Sequence, residues 1–150
     1  MSEARIRRGR PTDVAAIVQM ESHFPSDRMS ARSVRNFLRA PSAHVWVAQT
    51  ASELVGALTL LTRRGTRNAR IYSVVVLPQM RGQGLAAKLI AAAEAQARRL
   101  RRSAITLEVR TDNAPARAVY RKLGYIEEKA LHGYYDDGAD GLRLRKSIEF

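Results

Sequence analysis

The sequence predicts an α/β fold, a mixed sheet with helices on both faces, on three observations. Segments of period-2 alternation and segments of helical spacing follow one another in the order β-α-α-β-β-β-α-β-α-β-β. One run, Ile71–Leu77, is apolar at odd and even positions alike, as a central strand covered on both faces must be. No repeat, low-complexity linker or break in composition divides the chain, so residues 1–150 read as one domain.

Ala4–Arg10 alternates weakly and reads as an edge strand. Pro11-Thr12-Asp13 starts a helix in which Val14, Ile17 and Val18 recur at helical spacing, and Phe24-Pro25-Ser26-Asp27 breaks it. Ser30 is placed to cap a second helix with Val34, Phe37 and Leu38 on one face; Pro41 ends it. Val45–Gln49 and Leu54–Thr62 form a hairpin, followed by a basic turn, Arg63–Asn68. Pro78 stops the strand Ile71–Leu77, and an Ala-rich helix then carries Leu85, Leu89, Ala93 and Ala97 four apart. Ala104–Arg110 is a strand with Ile105, Leu107 and Val109 on one side. Asp112 or Asn113 caps a short helix with the stripe Ala116, Val119, Tyr120, Leu123. Tyr125–Leu131 and Leu142–Ile148 close the fold around an acidic, glycine-bearing loop.

Composition narrows the function classes. With 150 residues, 45% hydrophobic, the chain is long enough to bury about two-thirds of its unfolded surface. The absence of cysteine excludes disulfides, zinc–thiolate sites, iron–sulfur clusters and a thiol nucleophile. The three histidines, His23, His44 and His132, show no ligand spacing, so no metal site is expected. Asp136, Asp137 and Asp140 lack the calcium-loop pattern and read as turn formers. The start is charged without a following apolar stretch, and no run approaches the roughly 20 residues of a membrane span, so a cytoplasmic protein is expected. Twenty-six basic against 14 acidic residues give a net charge of +12. That field attracts polyanions such as nucleic acid, the ribosome or a phosphorylated cofactor; a merely solvated surface accounts for it equally well.

The segment that speaks to chemistry runs from Val74 to Leu89. A valine strand and Pro78 lead into Arg81-Gly82-Gln83-Gly84-Leu85-Ala86-Ala87, where a helix begins. Glycines at a helix start let backbone N–H groups approach a ligand, and the unpaired amides with the positive end of the helix dipole favour phosphate. A tight turn alone would also explain them. Neither the NTPase phosphate loop nor the dinucleotide pattern Gly-x-Gly-x-x-Gly occurs.

Arg81-x-x-Gly84-x-Ala86 after a valine strand resembles the acetyl-CoA pyrophosphate loop of the GNAT N-acetyltransferases. Leu107-Glu108-Val109-Arg110, followed by Asn113, Ala116, Tyr120 and Leu123-Gly124-Tyr125, is similar to the matching block of RimI-type protein N-acetyltransferases. The likeness is collinear from about Arg5 to the C-terminus. It implies a mostly antiparallel sheet splayed in its middle, with acetyl-CoA as co-substrate. By resemblance, the cofactor arm lies along Val74, Val75 and Val76, with the Val76 amide on the thioester carbonyl. The pyrophosphate rests on the amides of Gly82, Gln83, Gly84, Leu85, Ala86 and Ala87 behind Arg81. Asn113 resembles the residue that hydrogen-bonds the arm; it is also a good helix cap. Glu108 resembles the general base, acting through a water, with Glu21 the competing carboxylate. Tyr120 resembles the acid that protonates the departing sulfur.

The acceptor is the least determined part. An α-amine (pKa about 7.7–8.0) is roughly a quarter neutral near pH 7.4, a lysine amine about one part in a thousand. One weak base therefore serves a protein or peptide N-terminus more readily. Gly133-Tyr134-Tyr135-Asp136-Asp137-Gly138-Ala139-Asp140-Gly141 resembles the peptide-holding loop of NatA-type catalytic subunits and RimI-like proteins, with Gly141 in place of the usual Ala. Tyr134 and Tyr135, with Phe24 and Tyr72, are therefore expected in the acceptor groove. Transfer to a small amine or a lysine side chain is the alternative in the same class. A catalytically weak RNA- or ribosome-binding module is the alternative in another.

Overall fold

The computed structural model describes residues 3–23 and 28–148. Seven strands form one sheet: β1 (Arg5–Arg8), β2 (Ala43–Gln49), β3 (Leu54–Leu61), β4 (Asn68–Val76), β5 (Ala104–Arg110), β6 (Ile126–Leu131) and β7 (Gly141–Ser147). Four α-helices join them: α1 (Val14–Glu21), α2 (Ala31–Arg39), α3 (Leu85–Arg99) and α4 (Ala114–Lys122). Strand order is β1-β2-β3-β4-β5-β7-β6, and each pairing is antiparallel except β4 with β5. The parallel pair is joined by a crossover through α3, and β5 reaches β6, parallel to it on the far side of β7, by a second crossover through α4.

The expected order and type of the elements are observed, while several ends move. β4 begins at Asn68 rather than Ile71, because residues 68–71 find a partner in β5. β1 ends at Arg8, where the Gly9 amide still bonds Val45 O at 2.8 Å. Tyr125 stands just ahead of β6, buried in the core. Ser30 caps α2 as expected, its hydroxyl accepting from the Ser33 amide at 3.1 Å.

Two apolar clusters sandwich the sheet. On one face, Leu89, Ile90, Ala93 and Ala97 of α3 pack on Leu58, Leu60, Ala69, Ile71, Ile105 and Leu107. Small alanines on the helix let it approach the strands closely. On the other face, Ile17, Met20 and Val34 of α1 and α2 pack on Val45, Val47, Val55, Ala57 and Val75. Glu94, on the buried side of α3, accepts from the Tyr125 hydroxyl at 3.0 Å and from Lys146 Nζ at 3.1 Å. A buried carboxylate so paired escapes most of its desolvation cost.

One irregularity matters for the site. The β3–β4 register steps from Thr59↔Ser73 to Leu60↔Ile71, leaving Tyr72 as an extra residue, a β-bulge. Before it, Ala69 and Ile71 face α3. After it, Val74 and Val76 pack toward α3 and Val75 toward α1. The bulge thus reverses the strand's alternation and turns Tyr72 outward, 44% exposed.

Leu89 is fully buried between helix and sheet. Leu89→Ala should cost about 2–5 kcal/mol in a denaturant titration read by circular dichroism. A loss under about 1 kcal/mol would mean that α3 does not carry the core.

Candidate active site

β4 and β5 pair from Asn68↔Ala104 to Ile71↔Leu107 and then part. Beyond that point β4 keeps β3 on its far edge and β5 keeps β7, which it pairs along its whole length. The other edge of Tyr72–Val76 is left without a strand, and its backbone groups need partners from elsewhere. The gap opens into a cleft of about 680 Å³, within the usual range for ligand sites.

Eight of the sequence-predicted residues line that cleft: Val74 and Val75, Glu108, Asn113, Tyr120, Tyr72, Tyr134 and Tyr135. Only the backbone of Val75 is available there, since its side chain is buried in the opposite cluster. Val76 follows on the same open edge, and Arg81–Ala87 come after it, outside the residues that line the cleft. Phe24 lies outside the described residues.

The Arg81–Ala87 turn has the backbone expected of an anion cradle. Gly82 (φ 82°) and Gly84 (φ 75°) both take the left-handed conformation, which strains any residue with a Cβ. Gly84 is the N-cap of α3 and no side chain caps the helix. The first amide closed by the helix is Lys88 N on Gly84 O, so the amides of Leu85, Ala86 and Ala87 keep their donors for a ligand. Leu85 offers its amide alone; its side chain is buried. A phosphorylated group with an extended arm fits this pair of features: charge on the amides, the arm along the open strand edge.

Glu108 is not the solvated carboxylate that a lone strand position suggests. Its side chain is 7% exposed. Arg70 of β4 gives Nε (2.8 Å) and a terminal nitrogen (2.6 Å) to Oε1, and Arg143 of β7 gives Nε to Oε2 at 3.2 Å. A carboxylate has about four acceptor positions. Two on Oε1 and one on Oε2 are taken, so Oε2 keeps one for a water or an amine. Sequence reasoning missed both arginines, which lie 38 and 35 residues away in the chain; the strand alternation that puts Arg70 and Arg143 on the face of Glu108 was the available signal.

Tyr120 is half-buried on the inner side of α4, edge-on to Tyr125 with ring centroids 6.1 Å apart. Burial pushes its hydroxyl up to about 12. Among the described residues no protein group hydrogen-bonds that hydroxyl, so its proton is available to whatever enters the cleft. Asn113 caps α4, its side-chain oxygen accepting from the Ala116 amide at 3.2 Å, and it lines the cleft as well. Glu21, at the end of α1, is buried; burial pushes its carboxyl above the ordinary value. It accepts from the Met29 amide (2.7 Å) and the Ser73 hydroxyl (3.2 Å), tying the segment before α2 to β4.

The outer wall comes from the β6–β7 loop. Tyr134 reaches over β5, and its hydroxyl accepts from Arg70 at 3.3 Å. Tyr134 and Tyr135 meet edge to face, 5.0 Å between centroids, and Arg110 lies over Tyr135. Asp137 and Asp140 fold the loop by accepting from the amides of Ala139 and Gly133. A Cβ on Gly141 would meet Tyr135 Cε2 at 3.1 Å, so glycine there gives the tyrosine its room. Across the cleft, Tyr72 stacks between Phe37 (5.1 Å) and Arg70 (5.4 Å).

An open strand edge leading to a glycine-turned helix start, with a carboxylate and a phenol lining the cleft beside that edge, is an arrangement suited to acyl transfer. Residues 13–125 match the model of the acetyltransferase (GNAT) family, and the chain belongs to that family. It is an acetyl-CoA-dependent acyltransferase. An N-alpha-acetyltransferase of Sulfurisphaera tokodaii is 31% identical, over 95% of this chain and 92% of its own length. The fold is shared with Ard1 from Thermoplasma volcanium (TM-score 0.90, 23% identity, 99% of both chains). It is shared too with the ribosomal-protein-S18-alanine N-acetyltransferase of Escherichia coli (TM-score 0.87, 21% identity, 98% and 95% of the chains). Among the described residues no helix is long and apolar enough to cross a membrane.

Two outcomes test the site. In ultraviolet titration of phenolate, the difference between the wild type and Tyr120→Phe should appear near pH 12, because burial favours the neutral hydroxyl; a midpoint near 10 would contradict it. Gly84→Ala should lose about 1–2 kcal/mol of stability from its left-handed backbone and weaken CoA binding in calorimetry. Unchanged CoA affinity would separate the turn from the ligand.

Proposed function

We propose that the enzyme moves the acetyl group of acetyl-CoA to the α-amine of a protein or peptide N-terminus, by direct transfer in a ternary complex. The observation that carries this reading is the convergence of Glu108 and Tyr120 on the one gap between β4 and β5. The tyrosine-walled groove and the relative named as an N-alpha-acetyltransferase support the acceptor.

The roles in this reading are as follows. Acetyl-CoA supplies the activated acyl group. Val74, Val75 and Val76 hold its arm along the open strand edge, Asn113 meets it from α4, and the amides of Gly82–Ala87 beside Arg81 take the pyrophosphate. The Val76 amide stabilises negative charge on the carbonyl oxygen. The remaining acceptor position of Glu108 Oε2 takes a proton from the incoming amine through a water. As the new N–C bond forms and the C–S bond breaks, Tyr120 gives its proton to the sulfur. A hydroxyl pushed up to about 12 is fully protonated at neutral pH, as that role needs. Tyr72, Tyr134 and Tyr135 form the walls that hold the acceptor backbone.

A neutral α-amine is far more abundant near pH 7.4 than a neutral lysine. One carboxylate with a single open acceptor position therefore suits the α-amine. The discriminating measurement is CoA release with a panel of N-terminal peptides, N-terminally blocked lysine peptides and small amines. Turnover on free N-termini, at least about tenfold over the blocked peptides, is expected. Turnover on small amines alone would remove the peptide reading. Tyr120→Phe should cut kcat by about 100-fold or more while CoA affinity holds. Glu108→Gln should lower the rate most at low pH, where the acceptor most needs a base. Normal kinetics in both variants would reject these roles.

A further inference from the structure

The sheet is covered unevenly. On the face of α1 and α2 the apolar cluster draws on β2, β3 and β4 and includes no residue of β5, β6 or β7. The β5–β7 half of that face carries Glu108 and Arg143, opposite each other, and Thr106 and Arg145, opposite each other two residues on. The Arg143–Glu108 bond fixes which face this is. Lys146, next along β7, bonds Glu94 of α3 and so confirms the alternation. Arg145 therefore stands on the face that no helix packs, and its side chain has no ion pair among the described residues.

This basic half-face continues into the cleft. A smaller hollow of about 180 Å³, lined by Leu61, Arg63, Thr66, Asn68, Arg70 and Thr106, lies beside it. Arg70 lines both cavities. Arg63, on the β3–β4 turn, is exposed, and its side chain has no ion pair among the described residues. The carboxylate on the face, Glu108, is already engaged by Arg70 and Arg143. Arg63, in the lining of the hollow, and Arg145, opposite Thr106 of that lining, are thus left as uncompensated cations beside the acceptor cleft.

We propose that this half-face receives the acceptor polypeptide downstream of its N-terminus and selects acidic residues there. The inference rests on the peptide reading of the cleft. From Glu108 to Thr106, opposite Arg145, is two residues of β5, about 7 Å, and to Ala104, paired with Asn68 of the hollow, four residues, about 13 Å. An extended peptide with its α-amine near Glu108 therefore meets the arginines from about its third residue to its seventh. Carboxylates there pair with cations that otherwise have none, and like charges are repelled. Single-stranded nucleic acid is the less favoured occupant, because the hollow holds no aromatic side chain for a base to stack on.

The test uses two ten-residue peptides with the same first two residues. One carries Glu or Asp at positions 3–7, the other Gln or Asn. CoA release should give the acidic peptide a kcat/KM about tenfold higher at low salt, through KM, and the gap should narrow at 0.5 M salt. The double variant Arg63→Gln, Arg145→Gln should bring the two peptides to within about twofold. Equal kcat/KM for the two peptides in the wild type overturns the inference and leaves the N-terminal reading intact. A preference that survives in the double variant overturns it as well, and so does binding of a single-stranded RNA oligomer that is lost in the variant without any peptide preference. No turnover on either peptide removes both readings.

Discussion

Everything at the site follows from the point where two parallel strands stop pairing. β4 and β5 are held together over Asn68–Ile71 and Ala104–Leu107, and α3 bridges them from behind. Past Ile71 the two strands part, β4 continuing beside β3 and β5 beside β7. An unpaired strand edge inside a fold is costly unless something hydrogen-bonds it. Here the edge faces a cleft, where a ligand with amides of its own could pair with it.

The charges around Glu108 show a second constraint. Arg70, Glu108 and Arg143 come from three adjacent strands and meet on one face. A carboxylate with so little exposure needs partners. Two arginines supply them and still leave one oxygen position open. Arg70 also binds the Tyr134 hydroxyl and lies over Tyr72, so the same guanidinium steadies both walls of the groove. Arg70 thus links Glu108 to the tyrosines on both sides of the cleft.

How much of this was legible in the chain depended on range. Element type and order came through because amphipathic periods and caps such as Ser30 are local. The turn in the Val74–Leu89 segment was legible because its glycines encode backbone conformation directly, and both Gly82 and Gly84 have positive φ. The start of β4 was misjudged because Asn68, Ala69 and Arg70 are held by a partner strand 36 residues on, which no local pattern carries. The partners of Glu108 and the Glu94–Tyr125–Lys146 cluster were invisible for the same reason. Where the surplus positive charge gathers is also a property of the folded sheet.

The extra residue at Tyr72 has one more consequence. Because the alternation of β4 inverts there, the strand belongs to two interiors in succession: Ile71 to the layer under α3, Val75 to the layer under α1 and α2. Removing that single amino acid would not merely shorten the strand. It would slide the whole valine segment by one place, push Val75 to the wrong side, and draw Ser73 away from Glu21. The two layers are thus phase-locked by one tyrosine, and insertions or deletions in this stretch should be far less tolerated than substitutions.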